Sequence, residues 1–176
     1  MRIFKSPIAW CLGVLLAAGS AARAETKVEL KNVHLCCGAC VKGVAAAVKD
    51  VEGVKAACDQ KARTVTLTAK DDATAQKAID ALAAAGFQGE SDNKDLKAKD
   101  DSGATAGKVK TLTLTGVHNC CGQCCKAIKA TVAKVNGVTG DTAKPKMDTF
   151  EVTGDFDAAE VVKALNDAGF HVKVKK

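Results

Sequence analysis

Two cassettes, His34-Leu35-Cys36-Cys37-Gly38-Ala39-Cys40 and His118-Asn119-Cys120-Cys121-Gly122-Gln123-Cys124, stand 84 positions apart in a chain of 176 residues. Each puts three thiols and an imidazole on one short stretch. Thiolates are soft donors, and a cluster of them selects Cu(I), Zn(II), Cd(II) or Hg(II) over hard cations. Cys37 with Cys40, and Cys121 with Cys124, form the CxxC core of each cassette. Cys36 and Cys120 raise the donors to three, which suits trigonal Cu(I), and His34 and His118 complete a Cys3His set of the kind zinc takes. Each position also has a plainer reading. The CxxC pairs can be disulfides or inert thiols, Cys36 and Cys120 can face away from the metal because adjacent side chains on extended chain diverge, and the histidines can be solvated, hydrogen-bonded or gating groups.

Positioning these donors requires a strand that ends at the cassette and a helix that starts inside it. From Thr26 to Leu35, Val28, Leu30 and Val33 alternate with polar residues, as in a strand. Val41, Val44, Ala45 and Val48 then recur at helical spacing, and Gly53 closes that helix. A CxxC on the first turn of a helix meets unpaired amide donors and the positive end of the helix dipole, both of which favour thiolate. Lys42 and Lys126 add positive potential just beyond. Val54 to Cys58 and Thr64 to Thr68 read as a hairpin, Ala73 to Ala85 as an amphipathic helix, and Phe87 as the start of a last strand. The order is βαββαβ.

The second cassette lies in the same frame. Val109 to Val117 reads as the first strand and Ile128, Val132 and Val135 mark the first helix. Phe150 to Thr153, a helix from Asp157 to Ala168 and a strand opening at Gly169-Phe170 follow. Gly53-Val54 corresponds to Gly137-Val138, and Gly86-Phe87 to Gly169-Phe170, so the chain is a duplicated unit. The expected organisation is a first domain over 25–90, a linker over 91–107 and a second domain over 108–176. The linker is rich in Asp, Lys, Ser, Gly and Ala with Leu96 its only large apolar residue, a composition expected to behave as a flexible tether spanning roughly 20 to 25 Å.

These residues resemble the heavy-metal-associated domain family, found in small copper chaperones, metal-pumping ATPases and the periplasmic mercury-binding protein. The family's Cys-x-x-Cys, the Gly-Val about thirteen residues later and the late Gly-Phe fall on Cys37, Cys40, Gly53-Val54 and Gly86-Phe87, with Val41 on its helix. In the second copy they fall on Cys121, Cys124, Gly137-Val138 and Gly169-Phe170. The resemblance covers nearly all of the chain after residue 24 except the linker. It implies an α+β architecture of two ferredoxin-like βαββαβ domains and open, low-coordinate sites from which an acceptor thiolate can take the metal. The family's Gly-Met-Thr/His is replaced by His34-Leu35-Cys36 and His118-Asn119-Cys120, so the metal transfers less directly than the fold.

Other residues carry less. Cys125 takes the place of Val41 on a buried helical stripe and reads as core, and Cys58 shares a strand face with Val54 and Ala56 and reads as a buried thiol. His171, after the second Gly-Phe, reads as structural. Arg2 and Lys5, the apolar run from Ile8 to Gly19 and Ala22-Arg23-Ala24 make residues 1–24 a secretory signal peptide; a membrane span needs about 20 apolar residues and this run is shorter. Without Arg2, Lys5 and Arg23, 23 of the 26 basic side chains face 20 acidic ones. That balance, with few aromatics, points away from nucleic acid.

The resulting expectation is a non-enzymatic soft-metal protein, exported to the periplasm or beyond and not membrane-spanning. Cu(I) is the favoured cargo, with Zn(II), Cd(II) or Hg(II) as alternatives, captured, buffered or passed to a metal-transporting or metal-accepting protein. A metal-bridged dimer is a further expectation of low-coordinate thiolate sites. The competing class is a thiol-disulfide oxidoreductase, because an activated CxxC in an oxidising compartment is also a redox dithiol. The βαββαβ order and the lone Pro145 beyond the signal argue against a thioredoxin-like frame.

Overall fold

The computed structural model describes residues 25–175, so the signal peptide expected over 1–24 lies outside the described residues. The first half runs β1 (Thr26–Lys31), α1 (Gly38–Val48), β2 (Val54–Asp59), β3 (Thr64–Ala69), α2 (Asp72–Ala84) and β4 (Glu90–Ser91). The second repeats it with β5 (Lys108–Thr115), α3 (Gly122–Val132), β6 (Val138–Asp141), β7 (Phe150–Asp157), α4 (Ala158–Asp167) and β8 (Lys173–Val174). Strand orders are β2-β3-β1-β4 and β6-β7-β5-β8, with every pairing antiparallel. Two helices over such a four-stranded sheet make each half a ferredoxin-like α+β unit.

Period-two patterning builds the sheets. In β3, Val65, Leu67 and Ala69 are fully buried while the threonines between them are half-buried. Val44 and Val48 of α1 and Ile79 and Leu82 of α2 close over this face, as Ile128, Val132, Val161 and Leu165 do in the second half. Each buried branched side chain contributes about 1.5–3 kcal/mol. The second helix of each half is capped by an aspartate: Asp71 accepts from the Thr74 amide at 2.8 Å, and Asp157 from Ala159 at 2.9 Å. The first helices are different. Their N-caps are Cys37 and Cys121, extended residues that make no side-chain cap bond, so no capping side chain ties up the first-turn amides of α1 and α3.

The last strand of each half begins later than the sequence predicts, because Gly86-Phe87 and Gly169-Phe170 are used between the halves. Phe87 and Phe170 form an antiparallel bridge, Gln88 donates to Gly169 O at 3.2 Å and His171 donates to Gly86 O at 3.1 Å. Gly86 has φ +84° and Gly169 φ +93°, and a Cβ on either would fall 2.2 Å from the His118 amide nitrogen or 2.3 Å from the Asn32 carbonyl oxygen. Glycine is therefore required twice over, for its backbone conformation and for the approach of the opposite half.

Residues 91–107 hold no helix or strand beyond Ser91, as their composition predicts, yet they lie against both halves rather than standing free in solvent. Leu96 and Ser102 are buried, Gln76 donates to Lys97 O at 2.9 Å, and Val174 donates to Ser102 O at 2.8 Å. Asp101 pairs with Lys173 and with His171 Nε2. Burial offsets part of the gain, but the hydrogen bonds from Lys173 and His171 hold the Asp101 carboxyl below its ordinary range. One apolar anchor and a few charge-assisted bonds convert a polar tether into a strap.

Candidate metal centre

The interlocking of the Gly-Phe loops turns the two cassettes toward each other. Within a half, Cys37 and Cys40 Sγ are 3.9 Å apart, Cys36 and Cys40 3.6 Å, Cys121 and Cys124 3.8 Å, and Cys120 and Cys124 3.6 Å. Across the halves the sulfurs are equally close. Cys36 lies 3.4 Å from Cys124 and 3.7 Å from Cys121, Cys40 lies 3.7 Å from Cys120 and 3.8 Å from Cys124, and Cys37 lies 3.9 Å from both Cys120 and Cys121. Six thiols thus meet at one point, where the sequence alone placed three at each of two tethered sites. Cys36 and Cys120 belong to this group and do not face away; each has two sulfur neighbours in the opposite half, which no local rule for adjacent side chains could have indicated.

Both histidines reach the same region as part of the interface. His34 stacks on Phe170 of the other half at 4.3 Å between ring centroids, and His118 stacks on Phe87 at 4.1 Å. The Nε2 atoms of both are buried and have no hydrogen-bond partner among the described residues. A ring nitrogen of His34 is within 4.8 Å of the Cys36 and Cys124 sulfurs. Burial lowers the His34 pKa, so its ring favours the neutral form that can accept a metal or donate through one nitrogen only.

The thiols do not share one acidity. A hydrogen bond from Cys124 holds the Cys40 thiol far down, opposed by burial and assisted by His118 and by the amide of Cys37. Cys121 falls to about 6 because the Cys124 amide at the start of α3 points at its sulfur. Cys124 is pushed up, first by the charge-accepting Cys40 and then by burial; burial likewise raises Cys36, and raises Cys120 to about 12. Crowded sulfurs cannot all ionise in the absence of a cation, so protons concentrate on some and charge on others. A soft cation entering the cluster removes that conflict.

The remaining candidates separate from the site. Cys125 is buried on the core side of α3, with its S–H donating to Ala143 O at 3.4 Å. Cys58 is half-buried on the inner face of β2, where burial raises its pKa. His171 is occupied by Asp101 at Nε2, 2.8 Å, and by the Gln88 side chain at Nδ1, 3.0 Å. It clips the strap and the two halves together. Sequence reasoning passed over Phe87, Phe170, Gly43, Gly86 and Gly169 as site residues. The repeated Gly-Phe was visible, but its use against the opposite copy was not.

The sequence matches no protein-family model and no curated protein. Among solved structures, the chain is similar to a copper binding domain from HMA7, a P-type ATPase, at 18% identity over 39% of this chain and 96% of that one, TM-score 0.36. It is similar to oxidized MerP from Ralstonia metallidurans CH34 at 29% identity, over 38% of this chain and 97% of that one, TM-score 0.33. A third similarity, to the N-terminal soluble domains of Bacillus subtilis CopA, spans 87% of this chain and 95% of that one at 16% identity, TM-score 0.30. The fold of each half rests on its own strand order. No helix among the described residues is long and apolar enough to cross a membrane.

Proposed function

We propose that this protein is a non-enzymatic soft-metal carrier of the cell envelope, with Cu(I) as its preferred cargo over Zn(II), Cd(II) and Hg(II). The observation that carries this reading is the convergence of Cys36, Cys37, Cys40, Cys120, Cys121 and Cys124 at sulfur separations of 3.4–3.9 Å, beside the buried, unpartnered Nε2 atoms of His34 and His118. Thiolates at that spacing, some already ionised by first-turn amides, are a donor set for soft ions. The envelope location rests on residues 1–24, whose basic start, apolar core and Ala22-Arg23-Ala24 have the form of a cleaved export signal. Transfer to a metal-transporting or metal-accepting protein proceeds by exchange of one thiolate ligand for another at the exposed Cys36.

The test is competition of the reduced protein against a chromophoric Cu(I) chelator, with Zn(II) and Hg(II) in parallel, together with N-terminal sequencing of protein recovered from the envelope fraction. The reading predicts Cu(I) capture that Cys37→Ser and Cys121→Ser each weaken by at least tenfold, and an N-terminus at Glu25. Failure of the reduced protein to take Cu(I) from the chelator, with turnover in a disulfide-reduction assay, would replace it by the redox reading.

A further inference from the structure

The six sulfurs have a definite arrangement. Cys36 stands opposite Cys120, Cys37 opposite Cys124 and Cys40 opposite Cys121. Every other pair is adjacent, at 3.4–3.9 Å except for the sequence neighbours Cys36/Cys37 and Cys120/Cys121, which lie within 4.8 Å. This is the adjacency of an octahedron. Its vertices form triangles of mutual neighbours but never a group of four, so a tetrahedral ZnS4 centre has no place in it, while three-coordinate ions fit its faces. In the faces Cys37/Cys40/Cys120 and Cys36/Cys40/Cys124, whose edges all measure 3.4–3.9 Å, an ion at the middle would sit about 2.0–2.3 Å from each sulfur, against about 2.3 Å for a metal–thiolate bond; the faces that hold Cys36/Cys37 or Cys120/Cys121 have that one edge within 4.8 Å.

Four alternate faces share corners but no edges. They are Cys36/Cys37/Cys121, Cys37/Cys40/Cys120, Cys120/Cys121/Cys124 and Cys36/Cys40/Cys124. Each sulfur belongs to two of them. We propose that the chain holds four Cu(I) ions as one Cu4S6 cluster spanning both halves, with every thiolate bridging two ions, and that this cluster is the unit of cargo. The proposal rests on the soft-metal reading above and replaces two independent CxxC sites by one polynuclear site.

The chemistry balances without electron transfer. Each Cu–S bond set forms as the thiol gives its proton to solvent, and copper enters and stays as Cu(I). Six thiolates and four monovalent ions leave an excess of negative charge, which needs nearby donors rather than further ligands. His34 and His118 supply them, each with a buried Nε2 that has no partner among the described residues. Phe87 and Phe170, 3% and 0% exposed, lie stacked behind those rings and keep water from that side of the sulfurs. The glycines at positions 86 and 169 complete the design, since without their close approach the two triads of thiols would not meet.

Anaerobic native mass spectrometry of the reduced protein, titrated with Cu(I) delivered from bicinchoninate, tests the proposal, with Cys120→Ser as the informative variant. Cys120 lies outside the CxxC pair but at a corner of two faces. The cluster predicts that the parent passes from metal-free to four-copper protein with little two-copper species, and that Cys120→Ser, shown folded by circular dichroism, retains two. Saturation of the parent at two, or a parent stoichiometry that Cys120→Ser leaves unchanged, overturns the cluster and leaves the soft-metal reading standing. No retained copper in the parent overturns both.

Discussion

Leu35 and Asn119 occupy the same place in the two cassettes and hold their loops by opposite means. Leu35 is 3% exposed and packs into the apolar core of its half. Asn119 is buried too, but its side-chain amide donates to Lys144 O at 2.7 Å and Met147 O at 3.1 Å, and its main-chain carbonyl accepts from the Lys146 amide at 2.7 Å. The histidines differ in the same sense. A Cβ at Gly43 would come within 2.8 Å of His118, which is therefore clasped by α1, whereas Ala127 holds the matching position on α3 beside His34. Beside the first cassette a cleft of about 740 Å³ opens between the halves, lined by His34, Cys36, Lys61, Arg63, Ala127 and Lys134. Duplication kept the donors while their surroundings diverged: the second cassette is braced, and the first keeps Cys36 exposed beside a basic cleft.

The largest effect should come from the contact that joins the two sides. Gly169→Val and Gly86→Val should each cost about 3 kcal/mol or more in thermal or urea unfolding, because each places side-chain carbon against backbone of the other half. Similar losses from both would support a symmetric interface; a loss from only one would confine the close packing to one cassette. Next, Leu35→Ala should cost about 3 kcal/mol as a lost core side chain, and Asn119→Ala about 1–2 kcal/mol as the Lys144 and Met147 carbonyls lose their side-chain donor. Equal and negligible costs would mean that neither loop is braced as described.

Gly43→Ala sharpens the contrast between the histidines. It should destabilise by about 1–3 kcal/mol through overpacking on His118, while Ala127→Gly should cost only about 1 kcal/mol of helix propensity. A urea titration of both variants decides it. The smallest effect belongs to the strap. Because the folded pKa of Asp101 is lowered from its ordinary 3.8, its contribution is full above that value and is lost as pH falls through the lower folded one. Half-exposed as it is, Asp101→Asn should cost below about 1 kcal/mol near neutral pH and remove this acid limb; an unchanged acid limb would place the strap's hold elsewhere.

Much of the architecture was legible because it is local. Period-two runs such as Thr64 to Thr68 and the helical spacing of Val41, Val44 and Val48 fix elements within one half, and the offset between Gly53-Val54 and Gly137-Val138 exposes the duplication. The candidate donors were legible as residue types. Their partners were not, since Cys36 meets Cys124 only after two domains have docked, and docking depends on glycines whose neighbours are distant in sequence: Val117 and His118 for Gly86, Asn32 and His34 for Gly169. Composition also understated the segment 91–107, where one leucine and Asp101 find partners that a hydropathy pattern cannot supply.

X-ray absorption at the copper edge of the Cu(I)-loaded protein tests most directly whether the two cassettes build one site. A shared cluster gives three sulfur neighbours per copper at about 2.3 Å, and a copper neighbour at about two-thirds of the sulfur–sulfur edge, roughly 2.6 Å. Two sulfur neighbours in a linear array with no copper nearby would contradict it.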